Sequence, residues 1–268
     1  MLSVHTNHAS NIAQNSVTKS NDLMTNAMER LSTGLRINSS ADDAAGLQIA
    51  TRLNANVTGM EQASRNVNDA SSMLQTADGA LEELSTIAMR QKELATQAAN
   101  GVNSATDLKA LNDEFQELTK EITRIVDNTE YSGNKLFDSL TAGVTFQIGA
   151  GAAETLDVKV DKANLAGVTE DISAAGGATK AITEVDKFID AVGVEHSTLG
   201  ANINRLGHTD SNLTNVTENT KAAAGRIMDA DFAVESANMT KNQLLVQAGT
   251  TVLSNANQNT GLVMGLLR

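Results

Sequence analysis

From Leu53 onward an apolar side chain returns at almost every seventh residue: Leu53, Met60, Val67, Leu74, Leu81, Ala88, Ala95. A second row, three residues on, reads Asn56, Ala63, Ala70, Ala77, Leu84, Gln91, Ala98. This heptad pattern predicts a long helix packed along a seam. The small alanines of the second row let a partner helix approach closely. Proline would end such a helix. Average usage would place roughly 13 prolines in a chain this long, and this one has 0. Aromatic residues are 2% of the chain, so the core must be built from Ala, Leu, Ile, Val and Met. Those side chains suit close helix packing better than a deep ligand pocket.

The boundaries of the helices are also readable. Ser39 and Ser40 are each followed three residues later by Asp42 and Asp43, which predicts a capped start, and Asn100-Gly101 is a stop signal. Ser104-Ala105-Thr106-Asp107 resembles a capping box and opens a second helix, with Leu108, Leu111, Phe115, Leu118, Ile122 and Ile125 at steps of three and four, running to about Asn128. The short break between the two favours an antiparallel hairpin. A third row, Val185, Val192, Leu199, Leu206, Leu213, Thr220 and Ile227, resumes the seven-residue period near residue 180, supported by Ile182, Ile189 and Ile203. Between about Tyr131 and Gly177 the chain is rich in Gly and Thr. There Val144–Ile148 and Leu156–Val160 alternate like strands, with a hairpin turn over Gly149–Glu154.

A length argument bears on the architecture. Residues 44–100 as one helix would span about 85 Å, whereas a compact domain of this chain length is only ~48 Å across. Either the helix breaks near Gly59 or Gly79, or the chain forms an elongated coiled-coil-like rod. The unbroken heptad row favours the rod, with N- and C-terminal helices side by side. The expected fold class is therefore mainly α, with a small β-hairpin region at about 131–177.

The two ends have a different character. Residues 1–18 and 242–267 carry no Asp, Glu, Lys or Arg. They mix amides, hydroxyls and small residues with Leu2, Val4, Ile12, Val17, Leu244, Leu245, Val246, Val252, Leu253, Leu262, Val263, Leu266 and Leu267. An exposed helix normally carries a charged face. The ends are either poorly ordered tails or segments buried only in an assembly.

Several function classes are excluded or weakened. Lys plus Arg is 20 against 32 Asp plus Glu, a net charge of -12. No basic surplus exists to neutralise nucleic-acid phosphates or to hold an anionic membrane surface. With Cys at 0 there is no disulfide, thiolate metal site or Cys nucleophile. No apolar run approaches a membrane span, and the N-terminus lacks the features of a cleaved signal peptide. Asp42 with Asp43, and Asp229 with Asp231, are better read as charges at helix starts than as acid–base pairs. His5 and His8 have no Asp, Glu or Cys cluster beside them, so no metal centre is expected. His196 falls on the Ile189–Ile203 seam as a half-buried packing residue. No phosphate loop, H-E-x-x-H pair or G-x-S-x-G elbow occurs. The chain is not expected to be an enzyme or to need a cofactor.

The residues that mark the helix boundaries also carry a family signature. Glu29-Arg30-Leu31-Ser32-Thr33-Gly34-Leu35-Arg36-Ile37-Asn38 runs into Ala41-Asp42-Asp43-Ala44-Ala45-Gly46 and then Gln62-Ala63-Ser64-Arg65-Asn66. Near the other end stand Gln247-Ala248-Gly249-Thr250, Ala256-Asn257-Gln258 and the closing Leu266-Leu267-Arg268. Over roughly residues 1–140 and 181–268 the chain strongly resembles bacterial flagellin, in a short form without extra outer domains.

The resemblance implies a subunit that self-assembles into the flagellar filament for motility and reaches the cell exterior through the flagellar type III export channel without signal cleavage. It places inner filament-core helices at 1–43 and 227–268 and a rod domain at 44–226. Filament-core packing then falls to Val17, Met24, Leu31, Leu35, Leu245, Val252, Leu253, Leu262 and Leu266. Docking of a flagellar export chaperone falls to Leu244, Leu245, Leu253, Leu262 and Leu266, and further partners are the flagellar cap and hook-junction proteins. Contact with the innate immune receptor toll-like receptor five is implied for Arg90, Leu94 and Glu114, although Met89 and Gln91-Lys92 depart from the family's familiar form. The alternatives are a hook–filament junction protein that shares the terminal helices, or a surface adhesion or receptor-binding module.

Overall fold

The computed structural model describes residues 7–266, with side chains through residue 258. The chain is mainly helical, in the order α1 (His8–Thr33), α2 (Ala44–Ala98), α3 (Ala105–Asn128), β1 (Glu130–Tyr131), β2 (Asn134–Lys135), α4 (Leu136–Ala142), β3 (Val144–Gln147), β4 (Thr155–Val158), a 3₁₀ turn (Lys162–Leu165), α5 (Gly177–Met228) and α6 (Phe232–Leu266). α2 runs unbroken through Gly59 and Gly79, which removes the broken-helix alternative. The chain divides into two compact units. One holds the described residues through Ala55 and those from Asn219 onward; the other is Asn56–Glu218.

In the first unit α1 and α6 lie antiparallel. Asn7 caps α1 by accepting from the Ser10 amide at 3.1 Å, and its Nδ2 donates to the Ala256 carbonyl at 2.9 Å. At the other end of the pair Arg30 bonds Glu235 at 3.0 Å. Ala13 and Ala27 are buried between the helices. Gly249 lets α6 come close, because a Cβ there would stand 2.5 Å from Val17 Cγ2. α1 ends at Gly34 in the left-handed region, φ 74°, a conformation glycine adopts without a Cβ penalty. The following residues are stapled to the α5–α6 break. Leu35 bridges Asp229, the Arg36 amide donates to Met228 O at 2.6 Å, and the Ala230 amide donates to Gly34 O at 3.0 Å.

The start of α2 corrects the expected cap. Asp43, not Ser39 or Ser40, accepts from the third helical amide, Gly46 N, at 2.8 Å. Asp42 turns back and accepts from Asn38 N and Ser39 N at 3.1 and 2.9 Å, closing the turn that precedes the helix. Those bonds hold its carboxyl below the usual range.

The second unit contains the larger core. The heptad residues Met60, Val67, Leu74, Leu81, Ala88 and Ala95 are buried, as are Ala63, Ala70, Ala77, Leu84, Gln91 and Ala98 of the second row. α5 meets this seam antiparallel, with Val185, Val192, Leu199, Leu206 and Leu213 buried. Three polar contacts mark the pairing: Ser64–Asp210 at 2.6 Å, Asp78–His196 at 2.7 Å and Lys92–Asp186 at 2.6 Å. α3 carries the expected reciprocal capping box between Ser104 and Asp107 and ends at Asn128.

The mid-chain region is two small antiparallel hairpins separated by α4, a helix that the β-like reading of 131–177 did not anticipate. Its Leu136, Phe137 and Leu140 are buried, so three apolar residues within one helical turn plug the core where alternation would put only every second one inside. The β3–β4 register pairs Val144 with Val158 and Phe146 with Leu156. This hairpin rests on α2, where Asn66 donates to Gln147 O at 3.2 Å and Gly59 faces Ala150. Tyr131 donates its phenol to Asp69 O at 3.2 Å.

Candidate assembly and recognition surfaces

A pair of helices can bury only the stripe along which the two touch. On α1 and α6 that stripe includes the half-buried Val17, Met24, Leu31 and Leu253, while Leu35 is half-buried at the linker. Ile12, Leu23, Met28, Phe232, Val234, Leu244, Leu245 and Val252 remain exposed, Leu244 by 60% and Val252 by 56%. Isolated exposed apolar residues are ordinary. Here, however, the described part of α6 beyond Lys241 has no charged residue on any face, so the usual solvated face is missing. The side chains of Leu262 and Leu266 lie outside the described residues, as does His5.

A second surface lies in the other unit, where α2 and α3 run side by side. Arg90 forks onto Glu114, with Nε and Nη2 at 3.1 and 2.7 Å from Oε1, and its Nη1 reaches Glu93 at 2.6 Å. Both carboxylates hold the guanidinium firmly charged, the bond to Glu114 most of all. The ends of all these side chains face solvent. Leu94 does not: it is 1% exposed and belongs to the core. The structure thus brings Arg90 and Glu114 together on one face, and Leu94 supports that face from beneath.

Beside it lies a buried polar residue of the second heptad row. Gln91 is 0% exposed. Its Nε2 donates to Thr119 Oγ1 at 2.8 Å and to Phe115 O at 3.3 Å. Thr119 donates in turn toward Val168 O at 2.7 Å, tying α2, α3 and the segment before α5 into one chain. Gln91 Oε1 is buried without a partner. The signal was present in the sequence, since Gln91 stands in a row otherwise filled mainly by Ala and Leu. A surface clasp was unforeseen: Lys162 bonds Asp138 and Asp127 at 2.6 and 2.8 Å.

His8 and His208 are exposed, and His196 is half-buried against Asp78. Among the described residues no group of three or more His, Asp or Glu could hold a metal ion. No described helix is long and apolar enough to cross a membrane. Asp231 accepts from Ala233 N at 2.8 Å, in keeping with a charge at a helix start, and Asp229 sits in the bridge to Leu35.

Paired terminal helices, a second helical hairpin and a mid-chain β region define a class of helical proteins whose first and last helices pack together. Residues 4–142 match the bacterial flagellin N-terminal helical region, and residues 182–267 match the bacterial flagellin C-terminal helical region. The chain belongs to the bacterial flagellin family. It is 44% identical to a flagellin of Halalkalibacterium halodurans over 90% of this chain and 91% of that protein. It is 35% identical to a flagellin of Listeria monocytogenes over 99% of both chains. The crystal structure of Bacillus cereus flagellin aligns with a TM-score of 0.50 at 34% identity, covering 56% of this chain and 88% of that one. A putative flagellar hook-associated protein from Vibrio parahaemolyticus shares the fold, with a TM-score of 0.59 at 14% identity over 70% of this chain and 100% of that one.

Proposed function

We infer that this chain is a structural subunit of the extracellular flagellar filament and that it polymerises through α1 and α6. The observation that carries the reading is the uncharged, partly apolar surface of α6, with Leu244, Leu245 and Val252 exposed. Burying such a surface among neighbouring subunits gains roughly 25 cal/mol per Å² of apolar area. Charges there would be costly to desolvate, and the sequence has none. The inner segments are 1–43 with 227–268, and 44–226 forms the part outside them. Val17, Met24, Leu31, Leu35 and Leu253 hold the helix pair together, while Leu245, Val252, Leu262 and Leu266 serve contacts between subunits.

Before assembly the same C-terminal leucines, Leu244, Leu245, Leu253, Leu262 and Leu266, suit a flagellar export chaperone. Export then precedes assembly beneath cap and hook-junction proteins. The Arg90–Glu114 face suits toll-like receptor five, with Leu94 acting through packing rather than contact.

Electron microscopy of purified protein, with and without a kosmotropic salt and short seeds, tests the main reading. Long filaments of uniform width are expected. Val252→Asp, at an exposed position, should abolish them while leaving monomer circular dichroism unchanged. Normal filaments from that variant would refute burial of α6 at subunit contacts. Persistent monomers of the parent chain would favour the hook-junction or adhesion readings. Removal of residues 227–268 should abolish chaperone pull-down, and Arg90→Ala should weaken a receptor-reporter response.

A further inference from the structure

We propose that Asn100 is a site of spontaneous covalent modification: the chain converts it to aspartate and isoaspartate through a cyclic imide formed with Gly101. In that reaction the Gly101 amide nitrogen, having lost its proton to solvent base, attacks the Asn100 side-chain carbonyl carbon. A C–N bond forms, the Cγ–Nδ2 bond breaks, and ammonia leaves with a proton from water. Water then opens the imide at either carbonyl. The balance is Asn plus water giving a carboxylic acid plus ammonia, with no redox change.

Four observations favour this residue. Asn100-Gly101 lies in the exposed connection between α2 and α3. Asn100 Oδ1 accepts from Val102 N at 3.4 Å, which folds the carboxamide back over its own following peptide. No carbonyl or side chain accepts a hydrogen bond from the Gly101 amide. No side chain crowds the glycine either, since a Cβ built there would meet nothing within 4 Å.

The Asn-Ser candidates are guarded. The sequence has no second Asn-Gly pair. Ser39 N donates to Asp42 at 2.9 Å, while Asn38 Nδ2 donates to Leu35 O at 3.1 Å. Ser104 N donates to Asp107 at 3.1 Å, and Asn103 Nδ2 is held by Gln97 O and Asn100 O at 2.6 and 3.0 Å. Asn15-Ser16 lies inside α1, where the helical backbone keeps the side chain off the next nitrogen.

The modification has a structural consequence. It places a negative charge beside the C-terminus of α2, where the helix dipole disfavours it. The isoaspartate form adds a methylene to the main chain where Asn100 O receives both Asn103 N and Asn103 Nδ2. The turn that joins α2 to α3 then loosens.

Gly101→Ala makes a clean control, because Gly101 is not among the glycines that need positive φ and its Cβ position is open. The folded full-length chain is held in mildly alkaline buffer made with heavy-oxygen water, and peptides are sequenced by mass spectrometry over time. Expected are the amide-to-acid mass gain with heavy oxygen at Asn100 ahead of every other asparagine, and at least a tenfold slowing in Gly101→Ala. The folded chain should convert about as fast as the same chain in urea. Conversion elsewhere first, an unchanged rate in Gly101→Ala, or strong protection by folding would each overturn the proposal.

Discussion

Replacing Gln91 by leucine should stabilise the Asn56–Glu218 unit, although it removes two hydrogen bonds. The bond to Thr119 is short at 2.8 Å and the one to Phe115 O is long at 3.3 Å. A net contribution of ~1 kcal/mol is typical for one good bond and less for a long one. Against this stands Oε1, buried and unpartnered, and leaving an acceptor dry costs ~1–3 kcal/mol. The amide therefore contributes close to nothing. Leucine is of similar size, and burying it relative to exposure is worth ~1.5–3 kcal/mol, part of which is lost to imperfect fit. Thr119 keeps Phe115 O and Val168 O as acceptors at 3.1 and 2.7 Å, so no new orphan is created. The expected gain is about 1–2 kcal/mol, or a rise of about 2–8 °C in melting temperature at ~2–4 °C per kcal/mol for a unit of this size. Gln91→Ala should instead destabilise by ~1–3 kcal/mol, because it loses the bonds and leaves a void. Thermal and urea unfolding followed by circular dichroism measure both variants. A loss above about 1 kcal/mol in Gln91→Leu would refute the reasoning and imply that Oε1 has a partner such as an enclosed water.

Further outcomes follow from the same geometry. Leu94→Ala should cost ~2–5 kcal/mol of unit stability by opening a core cavity, so any receptor defect in that variant should track its urea midpoint, while an Arg90→Ala defect should not. Lys162 holds the Asp127 carboxyl below its ordinary 3.8. A carboxyl depressed in this way stabilises above its unfolded value and ceases to do so as pH falls through its folded one. Protection of the 162–165 amides against hydrogen exchange, taken relative to the intrinsic rate at each pH, should therefore fall below about pH 4, and Lys162→Met should remove that acid dependence. Finally, the first unit's sequence carries eight Lys or Arg and seven Asp or Glu, whereas 56–218 carries 12 and 25. Polymerisation should thus be opposed by repulsion among the acidic units and eased by sodium chloride up to physiological strength, where screening already acts within about 8 Å. A critical concentration independent of salt would rule out that repulsion.

How far the sequence revealed this structure depended on whether a residue's role was set locally. The seam from Met60 to Ala98 was legible because every seventh residue of a helix returns to nearly the same face. The Ser104–Asp107 box was legible because its partners are three residues apart. Arg30 with Glu235, Lys162 with Asp127, and Gln91 with Thr119 were not. Their members are separated by tens to hundreds of residues and meet only after the helices have paired. α4 was missed because seven residues are too few for a helical period to stand out within a Gly- and Thr-rich stretch.

The same distinction applies to the surfaces. Absence of charge along residues 242–267 is a local property, legible without the fold, and it is what motivates the proposed burial of α6 in an assembly. Leu94 shows the opposite case. Its neighbours Arg90 and Glu93 are solvent-facing, and only the packing of α2 in the hydrophobic core puts this one residue inside. A linear motif therefore carries two physical roles that look alike in sequence: charged residues able to meet a partner, and a buried residue that keeps them in place. Comparing binding with stability for each residue separates these roles, because a contact residue loses affinity at constant stability whereas a supporting residue loses both together.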